Sequence, residues 1–285
     1  MAEITRFAPS PTGYLHLGHA YSAWVGWHAA RTSGGQFLVR IEDIDGPRCR
    51  PEYEAAIFED LGWLGLDWAP TVWRQSARVP AYQAAIDHLR AMGLLYPCFC
   101  TRTSIRRELA AMTHAPHGPE GPLYPGTCRG RSDADRAQRI AAGQPHSWRL
   151  NTEKAAALVG PLTWYDKQAG IQAAEAHRLG DVMLVGKDRP AAYHLSVVVD
   201  DAAQGITRVT RGLDLFGATH IHRLLQALLG LPTPEYHHHR LLVDNSGTRL
   251  AKRADAYSLR RYRQDGLSPA DVWALAEVEK GEDPP

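Results

Sequence analysis

The chain has 285 residues, of which 44% are hydrophobic and 22% charged, and its formal net charge is +1. This composition is typical of a globular protein with enough chain for a sizeable core in one or two domains. No stretch approaches the roughly 18 consecutive apolar residues of a membrane span, and residues 1–13 lack the basic and apolar segments of a signal peptide. We therefore expect a cytoplasmic protein without a membrane partner.

Positive charge is concentrated in two parts of the chain. Tyr96–Leu150 contains eight Arg, no Lys and four acidic residues, and Arg249–Asp265 contains six basic and two acidic residues. A basic run taken alone is usually a solvated face. Two such runs in a chain that is otherwise close to neutral keep a phosphate-rich partner among the possibilities.

The N-terminal part of the chain alternates between strand-like and helix-like patterns. Apolar periodicity and turn residues predict strands at Ile4–Ala8 and Gln36–Ile41 and helices at Leu17–Thr32, Glu52–Leu64 and Pro80–Met92. Strand–helix–strand order implies parallel strands joined by crossover helices. The expected fold class is therefore α/β, with a Rossmann-type doubly wound parallel sheet.

The pattern changes after residue 96. His114–Arg131 holds four Pro and four Gly and is predicted to be irregular, and strand-like pieces follow at Ser147–Leu150 and Leu162–Trp164. From residue 180 the alternation resumes, with strands at Val182–Val185, Ile206–Thr210 and Leu241–Val243 and helices at Ala191–Ala202 and Leu215–Leu229. We predict a nucleotide-binding domain of residues 1–95 and 181–255 that is interrupted by an inserted subdomain of residues 96–180.

The most specific motif is RFAPSPTGYLHLGH at residues 6–19. Here a strand runs through a Pro- and Gly-rich turn into a helix that carries His16 and His19 on one face. The N–H groups and dipole of a helix start favour an anion, and both imidazoles can donate hydrogen bonds to phosphate oxygens. Gly18 lets a base or ribose approach the backbone closely. The alternative is an ordinary strand–turn–helix corner with two polar histidines.

Residues 6–19 resemble the first signature of class I aminoacyl-tRNA synthetases in its glutamyl and glutaminyl form. Three further segments are similar to that family and follow in its order: RIEDID at 40–45, YHLSVVVDDAAQGITRVTRGLDL at 193–215 and RLAKR at 249–253. The resemblance covers the chain up to about residue 265. It implies activation of an amino acid by ATP with Mg²⁺, with His16, Gly18, His19 and Lys252 at the ATP site.

Charged residues at strand ends indicate which amino acid is bound. Arg6 ends the first predicted strand, Glu42 closes the second, and Arg211 follows the strand before residue 211. Strand ends meet at the ligand crevice of a doubly wound sheet, so these side chains can converge on the two carboxylates and one ammonium of L-glutamate. Each of them taken alone is more commonly a member of a surface ion pair. The resemblance assigns glutamate recognition to eight residues: Arg6, Phe7, Ala8, Pro9, Ser10, Glu42, Tyr193 and Arg211.

RLAKR is expected to supply a second element for ATP. Lys252 is a mobile point charge suited to the triphosphate as pyrophosphate leaves. The segment departs from the family's usual form, with Arg249 in place of the first Lys and Ala251 in place of the first Ser. Arg249 keeps the charge and Lys252 is retained, so we expect activation to survive.

Three of the four cysteines lie close together in the sequence: Cys98, Cys100 and Cys128. In a cytoplasmic chain a tight Cys-x-Cys is more often metal-binding than disulfide-bonded, and three thiolates are one ligand short of a closed zinc site. Tyr124, His114 and His117 are candidates for the fourth ligand, and cysteines without metal are the alternative. Similarity to short glutamyl-synthetase-like proteins favours Tyr124 and one structural zinc. His237–His239 would offer only two rings on one strand face, which is a weak indication of metal.

Only 32 residues follow RLAKR, and their periodicity predicts two short helices in a C-terminal segment of residues 256–285. We therefore expect no anticodon-binding domain. The chain resembles the short stand-alone members of the family, which implies transfer of glutamate to queuosine, the modified wobble base of tRNA(Asp). Two alternatives stay open: a truncated glutamyl-tRNA synthetase that charges a tRNA 3′ end, and a non-catalytic tRNA- or glutamate-binding module.

Overall fold

The computed structural model describes residues 2–112, 117–118, 121–242 and 257–278. The strands within these ranges are β1 (Ile4–Phe7), β2 (Gln36–Ile41), β3 (Trp73–Arg74), β4 (Leu95–Cys98), β5 (His117–Gly118), β6 (Gly121–Pro122), β7 (Ser147–Leu150), β8 (Thr163–Asp166), β9 (Gly170–Ala173), β10 (Met183–Val185), β11 (Arg208–Gly212) and β12 (Glu235–His239). The helices are α1 (Leu17–Thr32), α2 (Pro51–Trp63), α3 (Val79–Ala91), α4 (Arg102–Ala111), α5 (Asp133–Ala141), α6 (Thr152–Val159), α7 (Tyr193–Ala203), α8 (Ala218–Leu228), α9 (Leu259–Gln264) and α10 (Pro269–Leu275). None of these helices has the length and apolarity needed to cross a membrane.

The central sheet is built from parallel strands. β2 pairs with β1 and β3, and β12 pairs with β11 and β8, all in parallel. β11 runs beside β1, because the Thr207 N–H donates to the Ile4 carbonyl oxygen at 3.0 Å. The spatial order is therefore β3-β2-β1-β11-β12-β8, and the direction of winding reverses between β1 and β11. The predicted α/β class with a doubly wound parallel sheet is confirmed.

Alternate residues of β2 face different helices. Val39 and Ile41 are fully buried in one hydrophobic cluster with residues of α1, whereas Arg40 contacts Asp201 of α7 on the opposite face. This follows from the two-residue period of a strand. A second hydrophobic cluster joins α3, α7 and α8. Helices therefore cover both faces of the sheet, and they bury its charged residues as well as its apolar ones.

Strands β4, β7 and β10 form a separate antiparallel sheet, with β7 in the centre. It carries Cys98 at the end of β4. The β8–β9 hairpin also lies within residues 96–180, but β8 pairs with β12 of the central sheet. The division of the chain into a nucleotide-binding domain and an inserted subdomain stays a prediction.

The predicted bounds of α1, β2 and β7 agree with the structure to the residue, but the strand predicted at Leu241–Val243 is wrong. Leu241 and Leu242 follow β12 and belong to no strand, and residue 243 lies outside the described residues. The strand is instead β12, which contains His237–His239. Apolar periodicity missed it because its buried face includes the polar ring of His238.

The C-terminal helices α9 and α10 return to the N-terminal body. The Leu259 N–H donates to the Leu15 carbonyl oxygen at 2.7 Å, and His16 pairs with Ser258 in an antiparallel bridge. Trp273 of α10 is buried in the same hydrophobic cluster as α1. This segment therefore packs against the turn that enters α1, which contains the most specific sequence motif.

Candidate active site

A cavity of about 460 Å³ lies at the carboxyl ends of β1, β2 and β11. All eight residues predicted to recognise glutamate line it: Arg6, Phe7, Ala8, Pro9, Ser10, Glu42, Tyr193 and Arg211. His19 of α1 lines it as well, whereas His16 and Gly18 do not. The convergence expected from the meeting of parallel strand ends is therefore present.

His16 and His19 cap α1 by exchanging hydrogen bonds. His16 is the N-cap residue, and its Nδ1 accepts from the Gly18 N–H at 3.1 Å, while Nδ1 of His19 accepts from the His16 N–H at 3.2 Å. The ring centroids lie 3.7 Å apart. Burial lowers the pKa of His16, and burial together with His16 lowers the pKa of His19 to about 3. Because each Nδ1 accepts, each neutral ring carries its proton on Nε2, where it can be donated.

This capping changes the expected source of anion contacts at the helix start. The N–H groups of His16 and Gly18 already donate to the imidazoles, so the Nε2–H groups of His16 and His19 become the side-chain donors at this helix start. A Cβ atom on Gly18 would lie 3.1 Å from Cε1 of His16. Glycine therefore allows the His16 ring to fold back onto its own helix, and the predicted approach of a base or ribose stays a prediction.

Two buried arginines, Arg6 in the cavity lining and Arg40 outside it, are paired with acids of the protein itself. Arg6 donates from Nε and Nη2 to the two carboxylate oxygens of Asp201, at 2.9 and 3.3 Å. Arg40 donates to Asp201 at 2.8 Å and to Glu42 at 3.3 Å. Burial raises the pKa of Asp201, but Arg6 and Arg40 outweigh it and the net pKa is lowered. Burial raises the pKa of Glu42 in spite of Arg40 and Arg6.

Arg211, which also lines the cavity, has neutral partners. It is only 5% exposed and donates to His238 Nε2 at 3.1 Å, His222 Nδ1 at 3.0 Å, Tyr193 Oη at 3.1 Å and Thr219 Oγ1 at 2.6 Å. Burial, then the charge of Arg211, lowers the pKa of His238 to about 3 and that of His222 well below its ordinary value. Within the described ranges, all four hydrogen-bond partners of Arg211 are therefore uncharged.

The site residues predicted from the sequence do not include Asp201, Arg40, His222 or His238. A signal existed for Asp201, because an acid that follows Val197–Val199 in a helix is rarely buried without a charged partner. No local signal places His238 beside Arg211, since 27 residues separate them and only the parallel pairing of β11 with β12 makes them neighbours.

The three clustered cysteines and Tyr124 lie together, as predicted. The Sγ atoms of Cys98, Cys100 and Cys128 are within 4.8 Å of one another, and Tyr124 Oη lies 3.3 Å from Cys98 Sγ and 3.7 Å from Cys100 Sγ. Burial raises the pKa of Cys100 to about 11. Burial also opposes ionisation of Cys128, but hydrogen bonds from the Phe99 backbone and Tyr124 lower its pKa to about 7. Three sulfurs and one oxygen in such a cluster can bind a metal ion.

Other predicted residues fall outside the described part of the chain. Lys252 lies in residues 243–256, and the side chains of His114 and His117, the alternative metal ligands, are not described either. Ser258, six residues after Lys252, pairs with His16. The chain thus reaches the histidine pair shortly after the RLAKR segment, and the role of Lys252 stays a prediction.

Comparison with known proteins gives consistent matches over most of the chain. The family described as tRNA synthetases class I (E and Q), catalytic domain, matches residues 4–275. The chain is 49% identical over 277 residues to the glutamyl-Q tRNA(Asp) synthetase of Rhodobacter capsulatus, covering 95% of this chain and 99% of that protein. It is 45% identical to the glutamyl-Q tRNA(Asp) synthetase of Nocardia farcinica, covering 95% and 82%.

A solved structure shows the same fold in a longer protein. The crystal structure of the glutamate-tRNA synthetase from Elizabethkingia anophelis matches with a TM-score of 0.75 at 25% identity. The match covers 94% of this chain and 54% of that one. The chain thus spans nearly the whole Rhodobacter capsulatus relative but about half of the Elizabethkingia anophelis protein.

Proposed function

The chain belongs to the glutamyl and glutaminyl branch of the class I tRNA synthetases, and we propose that it activates L-glutamate with ATP and transfers it to queuosine in tRNA(Asp). Membership of this branch makes it a ligase of the aminoacyl-tRNA synthetase type. Queuosine as the acceptor is supported by the similarity to glutamyl-Q tRNA(Asp) synthetases and by the near-complete coverage of the Rhodobacter capsulatus protein.

Glutamate recognition is supported by one observation above all, the neutral surroundings of Arg211. A buried guanidinium without an acidic hydrogen-bond partner in the described chain attracts the side-chain carboxylate of glutamate. Glu42, which follows the carboxyl end of β2, suits the ammonium, which favours the charged form of this acid against burial. Tyr193 Oη already accepts from Arg211, so its own proton is left for the ligand.

This placement leaves the α-carboxylate of glutamate for reaction with ATP. Its oxygen attacks the α-phosphorus in line, the bond to pyrophosphate breaks, and glutamyl-adenylate forms. Positioning and charge stabilisation supply most of the rate. The Nε2–H groups of His16 and His19 donate to phosphate oxygens, and Lys252 offsets charge on the leaving pyrophosphate. Mg²⁺ bound to ATP supplies further positive charge.

In the second step a hydroxyl of the queuosine cyclopentenediol attacks the mixed anhydride, and AMP leaves. Phosphate contacts hold a tRNA but carry no sequence information, so discrimination needs a feature close to the reacting centre. A hypermodified base that also carries the nucleophile is such a feature.

The cysteine cluster is proposed to hold one structural zinc. Cys98, Cys100, Tyr124 and Cys128 offer three sulfurs and one oxygen, which is a complete tetrahedral set without an open catalytic position. The cluster joins the end of β4 to the segment that contains Tyr124 and Cys128. Its proposed role is therefore to hold the inserted region in shape.

The deciding experiment supplies ATP and labelled glutamate with tRNA(Asp) that carries either queuosine or guanosine at the wobble position. We expect transfer to the queuosine form alone, and equal transfer to a queuosine tRNA(Asp) from which the 3′-terminal adenosine has been removed. Unmodified tRNA(Glu) is the matched control. If it accepts glutamate at its 3′ end with comparable efficiency, the protein is a minimal glutamyl-tRNA synthetase. Absence of glutamate-dependent pyrophosphate exchange, with and without tRNA, contradicts activation altogether.

A further inference from the structure

His238 lies directly behind Arg211 without reaching the cavity. The two residues are paired neighbours on β12 and β11, and His238 is 1% exposed and does not line the cavity. Its Nε2 atom lies 3.1 Å from Nε of Arg211 and 3.1 Å from Oγ1 of Thr219. His238 can therefore influence a ligand only through Arg211 and the groups around it.

On the opposite edge of the imidazole from Nε2, Nδ1 of His238 forms a hydrogen bond with Asp166. Oδ2 of Asp166 lies 2.8 Å from the ring atom Nδ1 of His238 and also accepts a hydrogen bond from the backbone N–H of His238 at 3.1 Å. Oδ1 accepts the N–H groups of Gln168 and Ala169, both at 2.9 Å, in the turn between β8 and β9. Burial opposes the charge of Asp166, but these hydrogen bonds lower its pKa, so the carboxylate is ionised.

An ionised Asp166 determines which nitrogen of His238 carries the proton. A carboxylate only accepts, so Nδ1 of the neutral ring must be the donor and Nε2 must present its lone pair. The Arg211 Nε–H and the Thr219 hydroxyl both lie within hydrogen-bond distance of this Nε2 acceptor. With the opposite tautomer, two N–H groups would point at each other and Arg211 would lose this contact.

A neutral acceptor holds Arg211 differently from an acid. A carboxylate at the position of His238 would also bind the guanidinium, but it would neutralise the charge and compete with the carboxylate of the ligand. The imidazole instead places the charge of Asp166 one ring away from Arg211. The imidazole thus fixes the orientation of the Arg211 guanidinium without neutralising its positive charge.

We propose that His238, with its tautomer set by Asp166, is a positioning residue that orients the Arg211 guanidinium for the side-chain carboxylate of glutamate. This inference rests on the proposed function, and it concerns the same site. It also assigns a role to the middle residue of the histidine run, which the sequence marked only as a weak metal candidate.

Two substitutions at position 238 separate positioning from mere packing. In His238→Gln the amide oxygen can occupy the place of Nε2 and accept from Arg211. In His238→Asn the shorter amide reaches only the place of Nδ1, so the contact with Asp166 is kept and the acceptor for Arg211 is removed. His237→Asn is the matched control, because His237 lies on the same strand, contacts Gln168 and does not line the cavity.

The measurement is the dissociation constant for glutamate and for ATP, by calorimetry on the full chain, with pyrophosphate exchange alongside. We expect His238→Asn to weaken glutamate binding about tenfold or more, as for loss of one hydrogen bond to a charged group, and to leave ATP binding unchanged. His238→Gln should recover most of the affinity, and His237→Asn should match the unsubstituted protein.

The outcomes distinguish this inference from the proposed function. A protein that binds glutamate but shows no exchange contradicts the proposed function alone. Equal glutamate affinities in His238→Gln and His238→Asn overturn the positioning role alone, and a protein that binds no glutamate contradicts both. If His238→Asn does not fold, Asp166→Asn replaces it, because an amide there can donate to Nδ1 and reverse the tautomer. Unchanged glutamate affinity in a folded Asp166→Asn protein overturns the inference.

Discussion

Buried arginines in and near the cavity are held in two opposite ways. Arg6 and Arg40 share the carboxylate of Asp201, whereas the hydrogen-bond partners of Arg211 in the described chain are neutral. Ion pairs within a protein neutralise their own charges and hold elements together, while a cation among neutral acceptors keeps its attraction for an incoming anion. The arginines therefore differ in the charge of their partners, and on our proposal this difference leaves the charge of Arg211 for the ligand.

In the cysteine cluster the buried groups can become negatively charged, and the expected ligand is a cation. Three thiols and a phenol meet there, and hydrogen bonds lower the pKa of Cys128 to about 7 despite burial. Closely spaced thiolates favour a cation that all of them can share. The network around Asp201 is thus balanced by the protein's own charges, whereas the surroundings of Arg211 and the cysteine cluster are proposed to be balanced by a ligand.

The largest expected effect is at the cysteine cluster. Protein purified without added metal should contain one zinc per chain, and Cys98→Ser should lose it and unfold the region around β4, because structural zinc contributes about 10–16 kcal/mol of apparent binding free energy in small domains. Elemental analysis and circular dichroism check this. The matched control is Cys49→Ser, since Cys49 lies outside the cluster. Full zinc content in Tyr124→Phe would count against Tyr124 as a ligand.

The next effect tests the balanced network. Asp201→Asn leaves Arg6 and Arg40 buried without their shared carboxylate and should lower the free energy of unfolding by about 3–5 kcal/mol, as for a broken buried ion pair. Urea unfolding gives this number. Asp67→Asn is the control, because its pair with Arg31 is exposed and worth about 1 kcal/mol or less. A loss in Asp201→Asn no larger than in the control would show that the shared carboxylate does not stabilise the fold.

Arg211→Gln should reduce kcat/KM for glutamate by about 100-fold, the upper range for a hydrogen-bonded charge, with little change in the KM for ATP. Pyrophosphate exchange with glutamate and with glutamine measures it. The discrimination between the two should fall, because only glutamate carries the second carboxylate. Arg208→Gln on the same strand is the control, since Arg208 pairs with Glu3 and Glu235 away from this cavity. Equal losses for both amino acids would remove Arg211 from side-chain recognition.

The smallest effect concerns a buried acid with a distant partner. Asp60 is fully buried in α2 and lies 3.6 Å from Arg263, and burial, only partly offset by Arg263, raises its pKa to about 6. An acid whose pKa is raised on folding favours its protonated form in the folded state. The free energy of unfolding should therefore fall as pH rises from about 4 to about 6 and be level above that.

Asp60→Asn should remove this part of the pH slope and be more stable than the unsubstituted protein at neutral pH. Urea unfolding of both proteins across the pH range measures the difference, in which contributions from other groups cancel. If the free energies of unfolding of the two proteins change with pH in parallel, Asp60 has the same pKa in the folded and unfolded states. The different pKa shifts of Asp60 and Asp201 would then not be explained by the greater distance of Asp60 from its partner arginine.

Elements near the cavity could be predicted from local pattern because their determinants act between neighbours in the chain. Apolar spacing and turn residues were sufficient for the bounds of α1 and β2. The convergence of Arg6, Glu42 and Arg211 was also predictable, since the carboxyl ends of parallel strands meet. The missed strand β12 shows the limit, because its buried histidines carry no hydrophobic signal.

By itself, the sequence determined the α/β class, the motif at the start of α1 and, through the family resemblance, eight of the residues that line the cavity. Which of the arginines is paired with an acid of the chain depends on the tertiary structure. Arg6 and Arg211 look alike in the sequence, each lying at the end of a strand, but Arg6 meets Asp201 from 195 positions away and Arg211 meets His238 across β11 and β12. Charge balance at a buried site depends on such long-range neighbours, which strand order and register bring together and local pattern does not encode.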